Sequence, residues 1–174
     1  MSEDFGYRLK LDRIRDGERL DIVADEAERR AIAGRLDLDA LDRLEAHAVL
    51  SREGDRVLAR GRVAASLHQR CVVTGDPVAA HIDEPFDIAF VPEPAAADEE
   101  VELGEEDCDV VFHDGAAIEL GSAVADTLAL ALDPYPRSAG AEAALREAGV
   151  LSEEQAGPFA ALAQLKKDLG SSGD

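Results

Sequence analysis

Residues 41–90 read LDRLEAHAVLSREGDRVLARGRVAASLHQRCVVTGDPVAAHIDEPFDIAF, and their period of two decides the fold. Leu44, Ala46, Ala48 and Leu50 share one face, while Arg43, Glu45, His47 and Val49 take the other. That alternation describes a strand with one side buried. The following SREGDR places a tight turn at Gly54 and Asp55. After it, Val57, Ala59, Gly61, Val63, Ala65 and Leu67 alternate with Leu58, Arg60, Arg62, Ala64, Ser66 and His68. This predicts a long strand antiparallel to the first. A second turn is expected at Gly75-Asp76-Pro77, and Val78, Ala80, Ile82, Phe86, Ile88 and Phe90 then mark a third strand. Proline cannot donate to a ladder, so that strand is expected to break near Glu84-Pro85. Three strands joined by short turns make an antiparallel meander.

Working outward, Phe5, Tyr7, Leu9 and Leu11 alternate with Arg8 and Lys10, which predicts a half-buried strand. In DEAERRAIAGRL, Asp25 followed by Glu28 forms a capping-box signature for a short helix. Its apolar face is expected on Ala27, Ala31, Ile32 and Leu36, with Gly34 near its end. Downstream, DVVFHDG reads as a short strand ending in a turn. Residues 119–132 place Leu120, Val124, Leu128, Ala131 and Leu132 at helical spacing, and Asp133-Pro134-Tyr135-Pro136 stops that helix. Further helical stretches are expected over 141–148 and 158–169, the last with Phe159, Leu162, Leu165 and Leu169 on one face. The predicted class is α+β: an antiparallel meander, open or closed into a barrel, followed by C-terminal helices in one domain over residues 1–174.

Residues 92–109, PEPAAADEEVELGEEDCD, differ in kind. They hold nine acidic side chains and no basic one. The plain expectation is a solvated, flexible loop. The sharper one is an acidic docking arm for a basic partner, carried by Glu99, Glu100, Glu102, Glu105, Glu106 and Asp107.

Composition narrows the function. Hydrophobic residues make up 46% and charged residues 32%, a globular balance. The net charge of −20 cannot supply the counterion release behind sequence-independent nucleic-acid binding. The charge is uneven: residues 1–91 hold 14 Lys and Arg against 19 Asp and Glu, whereas residues 92–174 hold 4 against 19. The halves carry −5 and −15, so a basic protein is the easier partner. No apolar run reaches the roughly 18 residues that span a bilayer. MSEDFGYRLK lacks the features of a secretory leader, and two cysteines are too few for a disulfide framework, so a cytosolic location is expected.

The chain contains no phosphate-loop, dinucleotide-binding or nucleophile-elbow motif. His68 and Cys71 stand three apart, which on a strand turns them to opposite faces and away from one ion. Cys108 and His113 are a second weak metal pair, and no cofactor is expected. Cys71 reads as a small buried hydrophobe, and the carboxylates around Cys108 disfavour its thiolate, so neither thiol reads as activated. Arg60, Arg62, His68 and Arg70 share one strand face, with Arg52 and Arg56 near the turn before it. That face is either an ordinary solvated surface paired with carboxylates or a local basic surface for RNA phosphates.

QRCVVTGDPV, IDEPFDIAFVPE, IELGSAVADTLALALDPYPR and PFAALAQLKKDL, in this order, resemble the YceD family of large ribosomal RNA subunit accumulation proteins. The resemblance implies a bacterial, cytosolic protein needed for normal accumulation of 23S rRNA, with no assigned catalytic residues. Many members carry Cys-x-x-Cys at the turn; here Val72, Val73 and Thr74 follow Cys71, as expected in an alphaproteobacterial-like branch. The missing second cysteine argues against a metal or redox role there. The expected function is a non-enzymatic factor for large-subunit assembly that binds a basic large-subunit ribosomal protein or a pre-ribosomal particle. Direct rRNA contact through the arginine face is the alternative, and an RNA-processing hydrolase is the remote one.

Overall fold

The computed structural model describes residues 5–94 and 109–150. Its elements run β1 (Arg8–Lys10), a 3-10 turn (Leu11–Arg13), β2 (Glu18–Val23), α1 (Glu26–Arg35), β3 (Ala40–Glu53), β4 (Arg56–Arg70), β5 (Pro77–Pro92), β6 (Asp109–His113), β7 (Ala117–Glu119), α2 (Leu120–Ala131) and α3 (Ala141–Glu147). The fold is α+β. Five strands form one sheet in the order β2-β3-β4-β5-β6, and β1 pairs with β7 in a separate two-stranded ribbon. Among the described residues neither sheet closes into a barrel.

The meander has the predicted register. Glu53 pairs with Arg56 across a two-residue loop, and Gly54 takes φ 61° there. A glycine at the first loop position suits a twisted hairpin because it accepts positive φ without a Cβ clash. Leu44, Ala46, Ala48 and Leu50 are buried, as are Val57, Ala59, Val63, Ala65 and Leu67. Gly61 departs from this series for a steric reason. A Cβ at that position would lie 1.8 Å from the His47 carbonyl oxygen and 2.8 Å from Cζ of Phe86. The missing side chain lets β3 approach β4 and leaves room for the Phe86 ring.

Helices cover the inner face of the sheet. Ile32 of α1 and Leu120, Val124 and Leu128 of α2 join Leu44, Leu50, Val57, Val63 and Phe90 in one core. Each large aliphatic side chain so buried contributes about 1.5–3 kcal/mol. The Gln69 side chain donates to the Asp133 carbonyl at 2.8 Å, tying the end of β4 to the residues that terminate α2. That bond satisfies a carbonyl just beyond the helix.

Several expectations are corrected. β5 runs unbroken through Pro85. β6 pairs only with Ile88–Pro92, so β5 is an outer strand at Pro85 and tolerates a residue that cannot donate on its open side. Ala27 and Ala31 of α1 are exposed; Ile32, with Ala33 and Leu36, makes the contact with the core. The capping box is present as predicted, Asp25 accepting from the Glu28 amide and Glu28 from the Asp25 amide. The first strand is only three residues long, because its chain turns at Leu11 after pairing with β7. β2 was not anticipated, although Leu20 and Ile22 alternate with Arg19 and Asp21. Of the acidic segment, Pro92 closes β5 and Asp109 opens β6, while 95–108 lie outside the described residues, as does the expected helix 158–169.

Candidate functional site

β4 presents its even-numbered residues outward, and the sequence-predicted cations lie together on that face. Each has a carboxylate partner from a neighbouring strand or loop. Arg60 Nε donates to Asp87 Oδ2 at 2.8 Å, and Asp87 is its directly opposed residue on β5. Arg62 Nε donates to Asp83 Oδ1 at 2.8 Å and its Nη2 to the Asp83 carbonyl at 3.1 Å. Arg70 donates to Asp39 at 2.6 Å, which holds its guanidinium above the usual arginine range. His68 Nδ1 lies 3.2 Å from Asp42. Asp42 is the extra residue of a β-bulge between Leu41 and Arg43, and the bulge re-aims that part of β3.

The lattice continues across β3 to β2. Arg43 grips Glu45 through two nitrogens, at 3.0 and 2.6 Å. His47 Nδ1 meets Asp21 at 2.5 Å, and the two are directly opposed across the strands. The hydrogen bond that the His47 ring donates to Asp21, followed by the carboxylate's charge, raises the His47 pKa above 6.5. His47–Asp21, like Arg60–Asp87, is a cross-strand pair at the spacing where opposite charges help, whereas Arg43 and Glu45 lie two residues apart on β3. The side chains are well exposed, with Arg60 at 60% and Arg70 at 63%, so solvent and salt screen these pairs and each contributes little.

The far end of β4 holds a feature the sequence did not disclose. Cys71 is buried, yet it is no simple hydrophobe. Its Sγ accepts from the Ser138 amide at 3.2 Å and the Thr74 amide at 3.4 Å. Hydrogen bonding from Ser138 first, then from Thr74, pulls the thiol down to about 6 against the opposing cost of burial. The expected burial holds, and the two amide contacts are what the local sequence did not predict. Thr74 lies three residues after Cys71, and its Oγ1 lies 2.6 Å from Asp76 Oδ2 and 3.1 Å from Ser138 Oγ. With Val72 N donating to the Pro136 carbonyl at 3.0 Å, the turn is laced to the α2–α3 connection. The signal in the sequence was only local, and Ser138 lies 67 positions away.

His113, the partner proposed for Cys108, spends both ring nitrogens on backbone. Nε2 lies 2.8 Å from the Asp55 carbonyl and Nδ1 accepts from the Gly115 amide at 3.0 Å. It pins the β3–β4 hairpin tip to the β6–β7 turn. Among the described residues no three His, Cys, Asp or Glu side chains are placed to hold a metal ion. Cys108 and the docking-arm carboxylates Glu99, Glu100, Glu102, Glu105, Glu106 and Asp107 lie outside the described residues. No described helix is long and apolar enough to cross a membrane.

An α+β protein with an open meander, a charge-paired outer face and a laced cysteine turn is thus what the chain builds. It belongs to the family described as large ribosomal RNA subunit accumulation protein YceD, which matches residues 59–166. The match runs from the fourth residue of the long central strand past α3 and includes the Cys71 turn. Its name associates this chain with large ribosomal subunit rRNA accumulation. No curated protein and no solved structure matches the chain.

Proposed function

We propose that the protein supports 23S rRNA accumulation in the cytoplasm as a non-enzymatic binding factor. It holds a basic large-subunit ribosomal protein, or a pre-ribosomal particle displaying one. The observation that carries this reading is the charge balance. Arg60, Arg62, His68 and Arg70 each have a carboxylate partner, so their face offers little net positive field, while the whole chain carries −20. A molecule so charged attracts basic surfaces over a Debye length and shields them until rRNA replaces it. The same field repels bare phosphates.

Pull-down from cell extract at low and high salt tests the reading. Basic large-subunit proteins are expected to be enriched at low salt and released at high salt; no enrichment at low salt sinks it. A second reading, direct rRNA contact, is favoured by the exposure of Arg60, Arg62 and Arg70, whose carboxylates phosphate would have to displace. Replacing all three with Ala decides it: loss of binding to 23S fragments supports RNA contact, and unchanged binding removes it.

A further inference from the structure

We propose that the β6 margin of the sheet is a docking groove for an extended basic peptide, which pairs with β6 as an added strand. The inference rests on the basic-partner reading above and names where such a partner binds. β6 has one hydrogen-bonded neighbour among the described strands, β5. Val110, Val111 and Phe112 make no backbone hydrogen bond to any other described element. A strand edge of this kind offers a row of unpaired donors and acceptors. Natural edges are blunted by lysine, proline or bulges, and Val110-Val111-Phe112 contains none of these.

The side chains beside the edge define the occupant. Phe112 is 51% exposed, a large aromatic surface left to solvent on an otherwise polar margin. A groove of about 210 Å³ runs between β6 and the start of α2. Val111 and Phe112 give it apolar lining, and Asp114, Glu119 and Asp126 give it carboxylates. Those three are 62%, 51% and 64% exposed. One arginine of the lining, Arg8, answers two of them, at 3.7 Å to Asp114 and 3.0 Å to Glu119. Arg35 reaches the third, Asp126, from α1 at 3.2 Å. The lining is therefore net negative and apolar at once. Strand addition draws affinity from main-chain bonds and specificity from alternate side chains. The matching ligand alternates Lys or Arg with aliphatic residues.

Two other occupants fit worse. Residues 95–108 bring seven carboxylates and no Lys or Arg, so laying them in this groove sets like charges side by side. A second copy presenting its own β6 would bring the same Asp114, Glu119 and Asp126 against themselves.

The full-length protein is titrated with the labelled peptide Lys-Val-Lys-Val-Arg-Val-Lys at low salt, and amide exchange is followed with and without it. Binding is expected to protect Val110–Phe112. Phe112→Asp and Phe112→Ser should each weaken it at least tenfold, as should the double variant Glu119→Lys, Asp126→Lys. Methylating alternate peptide nitrogens should abolish it, since a methylated amide cannot pair. Protection that falls elsewhere, or equal binding by the Phe112 variants, overturns the proposal. If those variants still capture basic large-subunit proteins from extract as the parent does, the groove is refuted while the functional reading stands. If the peptide docks at β6 but no such protein is captured, the groove stands and the functional reading fails.

Discussion

The centre of the sheet and its β6 margin are made of similar residues but are satisfied in opposite ways. On β4 both edges are hydrogen-bonded, the inner face is sealed by α1 and α2, and the outward cations Arg60, Arg62, His68 and Arg70 each meet a carboxylate. On β6 one edge has no partner among the described residues, Phe112 faces solvent, and three nearby carboxylates outnumber the two arginines that answer them. The difference teaches that charge on this protein is informative only after its partners are counted. The arginine face that stands out in the sequence is nearly neutral, and an unremarkable Val-Val-Phe run is the less satisfied surface.

The largest test of that contrast is stability. Leu50 is fully buried on β3, and Leu50→Ala is expected to cost about 3 kcal/mol in urea unfolding, from lost transfer energy and the cavity left behind. Phe112→Ser, on the margin, should change stability by about 0.5 kcal/mol or less. Equal losses at the two sites would erase the distinction.

An intermediate effect is expected at the Cys71 turn, where the sheet is closed by backbone donors. The folded thiol sits at about 6, below its ordinary value, so folding favours the thiolate. The resulting stabilisation is present above the ordinary thiol range, shrinks as pH falls toward 6, and is absent below it. In a Cys108→Ser background, urea midpoints should therefore rise between pH 6 and 9, and the thiolate absorbance should titrate near 6. A Cys71→Ala variant should lose that rise. A parent curve that stays flat over this range would mean that the two amides do not hold a thiolate.

The smallest effects belong to the outer lattice. Arg62→Ala should cost less than about 1 kcal/mol, and less still in high salt. His47 should titrate above its ordinary value, and Asp21→Asn should return it toward 6.5 in an NMR titration. Because the folded value is raised, the pair stabilises fully below the ordinary histidine pKa, and that contribution fades as pH rises through the folded one. A His47 that does not respond to Asp21→Asn would break the lattice at β2.

Much of the fold was legible because its signals are local. The alternation of residues 44–67, the Gly54-Asp55 loop, the Asp25–Glu28 box and the prolines after Leu132 each act within a few positions. Proline 85 misled because the rule it obeys depends on whether the strand lies at an edge, and β6 leaves that part of β5 open. β2 carries a weak periodic signal because it is short and has one buried residue, Ile22. Of the candidate site, the sequence placed four cations on one face but could not say what faced them.

By itself, then, the sequence determined the meander, the capped helix, the uneven charge and the family resemblance, since periodicity, turn chemistry and composition are properties of neighbouring residues. Tertiary structure alone decided that β6 runs parallel to β5, with no second partner among the described strands, and that β1 finds β7. It also brought Ser138 to Cys71 and Asp87 to Arg60. Those pairings join residues distant in the chain, and they form where the packing of the whole core repays the entropy of closing the loops between them.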